Sequence, residues 1–175
     1  AFDAAPQIAA YADFVHNQYA AAAAGADKLA GAVDELLRAP SPDTLAAARA
    51  AWVAARPAYL ETEAFRFYDG PIEAIEGDIN SWPMNEAYID YVEGAPKSGI
   101  INSGTDSITA AGLAAINQKS DEADVTTGWH AIEFLLWGQD LSESGPGNRR
   151  HTDYTAGEGN NDRRRAYLKA VTDKL

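Results

Sequence analysis

The chain contains no cysteine. Disulfide frameworks, thiolate zinc sites, iron–sulfur clusters and cysteine nucleophiles are therefore excluded. Basic charge is scarce as well: 14 lysines and arginines stand against 26 acidic residues, a formal net charge of −12. Nucleic-acid binding needs a basic surface that releases counterions, and docking on anionic lipid needs a basic patch, so this balance fits neither partner. No apolar run approaches the ~18 residues of a membrane span. The opening residues, Ala1-Phe2-Asp3-Ala4-Ala5-Pro6, lack the positive start and apolar stretch of a signal peptide. Either there was no signal peptide or it has already been removed; an Ala-rich start of this kind suits an exported mature chain. Common catalytic signatures are missing too: there is no Gly-x-Ser-x-Gly, no phosphate loop and no His-Glu-x-x-His. The inverted zinc motif, His-x-x-Glu-His, fails by one position, where Phe134 stands.

What the chain does have is alanine, 36 of its 175 residues. Alanine is the strongest helix former, and Ala-rich helices pack closely. The expected fold is all-α, an antiparallel helical bundle. Ile8, Tyr11, Val15, Tyr19, Ala22, Ala26, Leu29, Val33 and Leu36 recur in steps of three and four. They predict one long helix over 6–38 with that stripe in the core. Ser41 and Pro42 predict the start of a second helix, over 43–67, interrupted by Pro57, which should kink it. The short Pro-rich turn between them makes an antiparallel hairpin. Glycine and proline break residues 69–103 into loops, with a short helix near 85–91 and an extended piece within 92–101. Further helices are expected over 105–118, 121–137 and 161–175, with a polar Gly-rich loop over 138–160. The last pattern is still running at Leu175 without a C-cap, which predicts a fragment: residues 1–160 as one helical bundle and 161–175 as the start of a second, mostly missing half.

The chemistry concentrates in Gly128-Trp129-His130-Ala131-Ile132-Glu133-Phe134-Leu135-Leu136-Trp137. Within 129–137 only His130 and Glu133 are polar. A helix that is apolar all round is buried, and its polar side chains must find partners there. A buried Glu133 would want a cation: a metal, an arginine, or His130 itself. His and Glu at i and i+3 can reach one ion, and nitrogen and oxygen donors suit iron, manganese or zinc. The alternative is a structural His–Glu pair with no metal. On the second helix, Trp52, Arg56, Tyr59 and Glu63 fall on one face. Glu63 could complete a ligand set with His130 and Glu133; alternatively it pairs with Arg56 at a helix edge. Arg149-Arg150 and Arg163-Arg164-Arg165 could bind an anion or a carboxylate or, more simply, form solvated faces. His16 and His151 read as ordinary.

The stretch Thr127 to Asp140 resembles the Gly-x-His-x-x-Glu motif of the imelysin family. These bacterial proteins include insulin-cleaving membrane peptidases and are related to iron-regulated proteins. Trp52 to Phe67, Gly70-Pro71-Ile72-Glu73, Trp82-Pro83, Tyr88-Ile89-Asp90-Tyr91, Arg150 with Thr152-Asp153-Tyr154, and Arg164-Arg165 before Tyr167-Leu168 agree with it. The resemblance implies an all-α protein built of two bundles, in the bacterial periplasm or at the cell surface. It implies a metal site at His130 and Glu133, and family members about twice as long as this chain.

Three functions remain in view. The first is an envelope protein binding iron or another divalent metal, zinc included, in iron uptake. His130 and Glu133 would be ligands, Glu63 would be a third ligand or would hold one in place, Arg56 would neutralise carboxylate charge when metal is absent, and Gly128 and Trp129 would support the helix. Its partners would be the metal ion and another envelope protein of the uptake system. The second is a metallopeptidase, as the family's name implies, although no standard protease motif is present and no general base stays free if Glu133 binds metal. The third is a structural or interaction module without metal.

Overall fold

Pro6 in the first turn and the Pro40-Ser41-Pro42 break at the far end delimit the first helix, α1 (Ala5–Arg38). A computed structural model describes residues 2–175, and their regular structure is eight α-helices, two 3-10 turns and one isolated β-bridge, Val92 to Ala95. Ser41 caps α2 (Pro42–Thr62) with a reciprocal box: its hydroxyl accepts from the Thr44 N–H while the Thr44 side chain accepts from the Ser41 N–H. The helices run antiparallel from this turn. At Gly25 a methyl group would stand 3.0 Å from the Ala55 Cβ, so small residues set how closely α1 and α2 approach.

α1 is about 51 Å long and α2 about 32 Å at the usual rise per residue. The start of α1 therefore outruns its partner. Leu29, Val33 and Leu36 are fully buried, but Ile8 is 66% exposed and Tyr11 and Phe14 lie open. The expectation of a core stripe along the whole helix is corrected to its second half. The overhang is held by its edges instead. Tyr11, Phe14 and Tyr19 set their rings edge-on around Phe65, and Gln18 donates to Glu61 at 2.6 Å. α2 passes through Pro57 and ends earlier than expected, tightening into the 3-10 turn Glu63–Phe65.

Short elements follow: α3 (Pro71–Ile79), α4 (Glu86–Ile89), α5 (Ile100–Ser103) and α6 (Ala110–Ile116, capped by Thr109). The sequence reading missed α3, although Pro71 at its first position and Glu73 in its first turn are start signals. The expected extended piece over 92–101 is only the Val92–Ala95 bridge and a turn into α5.

α7 (Gly128–Trp137) is shorter than the expected 121–137 helix. Val125, Thr126 and Thr127 are buried, but their polar groups are used outside any helix. The Thr126 N–H donates to Asn117 Oδ1 at 2.8 Å, its hydroxyl donates to the Leu113 carbonyl, and its own carbonyl accepts from the Tyr167 hydroxyl. Three β-branched residues in a row fit that extended path better than a helix. After the 3-10 turn His151–Tyr154, α8 (Asn161–Lys174) packs Tyr167, Leu168 and Val171 into the same core as α1 and α7.

Candidate functional site

α7 is the buried axis of the site, and both of its ends are fixed by distant parts of the chain. Gly128 has φ +86°, and a Cβ there would stand 2.3 Å from the Ile79 carbonyl oxygen. Only glycine lets α7 start so close to the end of α3. The last four carbonyls of a helix have no partner within it. Here each one is met: Phe134 by the Gly138 N–H, Leu135 by the Tyr154 hydroxyl, Leu136 by Arg49 Nε and Trp137 by the Arg149 N–H. Trp52 from α2 sets its ring edge-on to both Trp129 and Trp137 and donates its indole N–H to the Trp129 carbonyl at 3.0 Å.

His130 and Glu133 project together from this axis. Nδ1 of His130 lies 3.0 Å from Glu133 Oε2. Nη2 of Arg56 lies 3.5 Å from the other ring nitrogen, Nε2. A carboxylate only accepts and a guanidinium only donates. In the tautomer that satisfies both contacts, the ring donates from Nδ1 to Glu133 and turns the Nε2 lone pair toward Arg56. Trp82 lies against the imidazole, with centroids 4.9 Å apart.

The His130 side chain is 19% exposed but that of Glu133 is 43% exposed. This corrects the expectation that both groups are sequestered. Glu133 lies toward the open side of α7 in contact with solvent, so burial alone does not demand a cation beside it.

Arg56 and Glu63 do not form the ion pair considered from the sequence. Glu63 accepts from Asn80 Nδ2 at 3.0 Å, and Asn80 shares an open pocket of about 460 Å³ with Trp82, His130 and Glu133. Arg56 lies over the rings of Trp52, Tyr59 and Trp129 at 5.8, 5.3 and 5.5 Å, within cation–π range. Burial lowers its pKa, against the opposing pull of Tyr59, Glu133 and Glu63. Burial likewise pushes the Tyr59 hydroxyl up to about 12, with Glu76 and Glu63 adding to it.

A cleft of about 510 Å³ opens beside this cluster, between Trp52, Trp82, Phe134 and Trp137 on its apolar walls and Glu86, Glu133 and Asp140. Burial raises the Glu86 carboxyl; Arg149 opposes that shift, and Asp140 and Glu133 reinforce it. Among the described residues, no three His, Asp or Glu side chains converge as a metal-holding group. His130 and Glu133 thus come together, Arg56 joins them directly, and Glu63 stands behind Asn80.

One cluster escaped the sequence reading. Asp90 is fully buried and accepts from Arg149 Nη1 at 2.8 Å and from Arg164 Nε and Nη2 at 2.6 and 3.0 Å. Arg149 and Arg164 are themselves buried, which corrects their reading as solvated faces and agrees with the alternative that they bind a carboxylate, whose identity as Asp90 the sequence did not give. Arg149 also reaches Asp153 at 3.2 Å, and its guanidinium lies over Tyr91 and Phe134. The available signal was a lone acid between apolar residues in Tyr88-Ile89-Asp90-Tyr91; a buried carboxylate must find cations somewhere in the chain.

The architecture and the site define a helical protein with a carboxylate-oriented histidine on a buried helix. The chain belongs to the imelysin family, whose description matches residues 15–175. It is also similar to the protein named iron-regulated protein A of Synechococcus elongatus, with 29% identity over 119 residues. That match covers 68% of this chain and 27% of the relative, so the chain spans about a quarter of the length of the curated relative it matches. No described helix is long and apolar enough to cross a membrane.

Proposed function

We propose that this chain carries the His-x-x-Glu part of a bacterial envelope protein that takes a divalent metal, iron first and zinc as a second candidate, in iron uptake. The observation that carries the reading is the state of His130. Glu133 fixes its tautomer through Nδ1, as carboxylates do for metal-binding histidines, and leaves Nε2 as a directed lone pair. The iron-related name of the relative supports the choice of metal. The net charge of −12 favours cation approach, over the ~8 Å that salt permits.

The residues fit a divalent cation in kind, because an imidazole nitrogen and nearby carboxylates are the donors such ions use. They fall short in number: Glu63 is engaged by Asn80, and the space beside Nε2 holds a guanidinium. Another envelope protein of an uptake system remains the partner of choice. A peptidase reading is less supported, since the carboxylate nearest the imidazole is committed to orienting it.

Wild type, His130→Ala and Arg56→Met would be melted with and without millimolar Fe(II), Mn(II) or Zn(II). Metal that binds the folded state raises the midpoint, by about 2.7 kcal/mol of stability at a hundredfold excess over Kd. A rise that disappears in His130→Ala is expected. No His130-dependent rise in either wild type or Arg56→Met removes the reading.

A further inference from the structure

Arg56, half-buried, touches no carboxylate, unlike the two buried arginines of the Asp90 cluster; Arg149 also leaves Nε and Nη2 without a partner, but its Nη1 reaches Asp90 and Asp153. Arg164 makes a two-point contact with Asp90 and further bonds to the Asp153 carbonyl and Asn161 Oδ1. In Arg56, Nη1 is buried with no hydrogen-bond partner, and Nη2 has only the long 3.5 Å contact to His130 Nε2. The faces of Trp52, Tyr59 and Trp129 and the charges of Glu133 and Glu63 hold the rest of it. Such a cation is retained by charge and by ring faces rather than by directed bonds, and those are forces that another cation can replace.

We propose that Arg56 is a built-in cation that occupies the coordinating face of His130 and keeps it closed to metal ions until the guanidinium moves aside. This rests on the reading of His130 as a metal ligand. The two occupants exclude each other. Nε2 has one lone pair, and a divalent ion bound to it would stand inside the space that Nη2 fills, with like charge against like charge. Apparent affinity is then the intrinsic affinity reduced by the fraction of molecules in which Arg56 has left. The carboxylates that attract Arg56 are the ones that would attract the ion, so the arginine sets a threshold affinity for occupancy.

The test is titration of Zn(II), and of Fe(II) without oxygen, into wild type, Arg56→Met, Arg56→Lys and the double variant Arg56→Met/His130→Ala, followed by tryptophan fluorescence. Methionine retains apolar contact with the three rings and removes the charge. Arg56→Met is expected to bind about tenfold tighter or more than wild type. Arg56→Lys, which keeps a cation, should stay close to wild type, and the double variant should lose the gain. Equal His130-dependent affinity in wild type and Arg56→Met overturns the inference and leaves the metal reading standing. No His130-dependent binding in either overturns both. If Arg56→Met does not fold, side-chain nitrogen NMR of wild type decides: displacement of the Arg56 guanidinium resonances at saturating Zn(II) supports the inference, and resonances unchanged at saturation overturn it.

Discussion

Replacing Asp90 by asparagine tests how the frame around α7 is held. The carboxylate is completely buried and accepts five donors: the Tyr91 N–H, Asn102 Nδ2, Arg149 Nη1, and Arg164 Nε and Nη2. Asparagine keeps the shape and one oxygen but turns an amide against guanidinium donors, and Asp153 is left as the remaining carboxylate on Arg149. Removing one partner of a buried ion cluster costs about 3–5 kcal/mol. For a chain of this size that lowers the melting midpoint by about 6–20 °C.

The pH dependence has a definite sign. Burial opposes ionisation of Asp90, but the Arg164 hydrogen bond and the charges of Arg149 and Arg164 outweigh it, and the carboxyl sits below its ordinary value. A depressed carboxyl contributes stability that is complete above the unfolded pKa of about 3.9 and is lost as pH falls through the folded value. Urea unfolding of wild type and Asp90→Asn from pH 7 downward should show a large gap that narrows in acid. A loss under about 1 kcal/mol at pH 7, or a gap independent of pH, would refute the account of this cluster.

Other outcomes follow from the fold. Gly128→Ala combines left-handed strain with a methyl group 2.3 Å from the Ile79 carbonyl, and should cost about 2–5 kcal/mol in denaturant unfolding; a value under 1 would mean that α7 starts elsewhere. Along α1, Leu29→Ala should cost about 2–5 kcal/mol and Ile8→Ser under about 0.5, because the first is buried and the second exposed; equal costs would contradict the overhang.

Helix existence was legible wherever a long periodic stripe met punctuation. Pro6, Ser41, Pro42 and Gly138 mark real boundaries of α1, α2 and α7. The misses share one physical cause. Local pattern does not reveal where backbone groups find partners at long range: Asn117 and Tyr167 hold residue 126 outside a helix, and Ile79 abuts Gly128. The stripe of α1 predicted burial without reporting that its partner helix is shorter. In the site, spacing placed His130 against Glu133 and put Arg56 on the facing helix. It could not tell that Asn80, from beyond α3, would engage Glu63, or that Trp82 would lie over the imidazole. The Asp90 cluster joins residues 59 and 74 positions apart, a separation at which no periodicity operates.

The complete set of partners on the final carbonyls of α7 has a mechanical consequence. Its far end is tied to Arg49 on α2, to Tyr154, and to the backbone at Arg149. Fraying there would have to break three ties to two separate stretches of chain at once. The rod that carries the imidazole is thus a fixed mount, and adjustment around His130 falls to the side chains that close over it from other helices and loops.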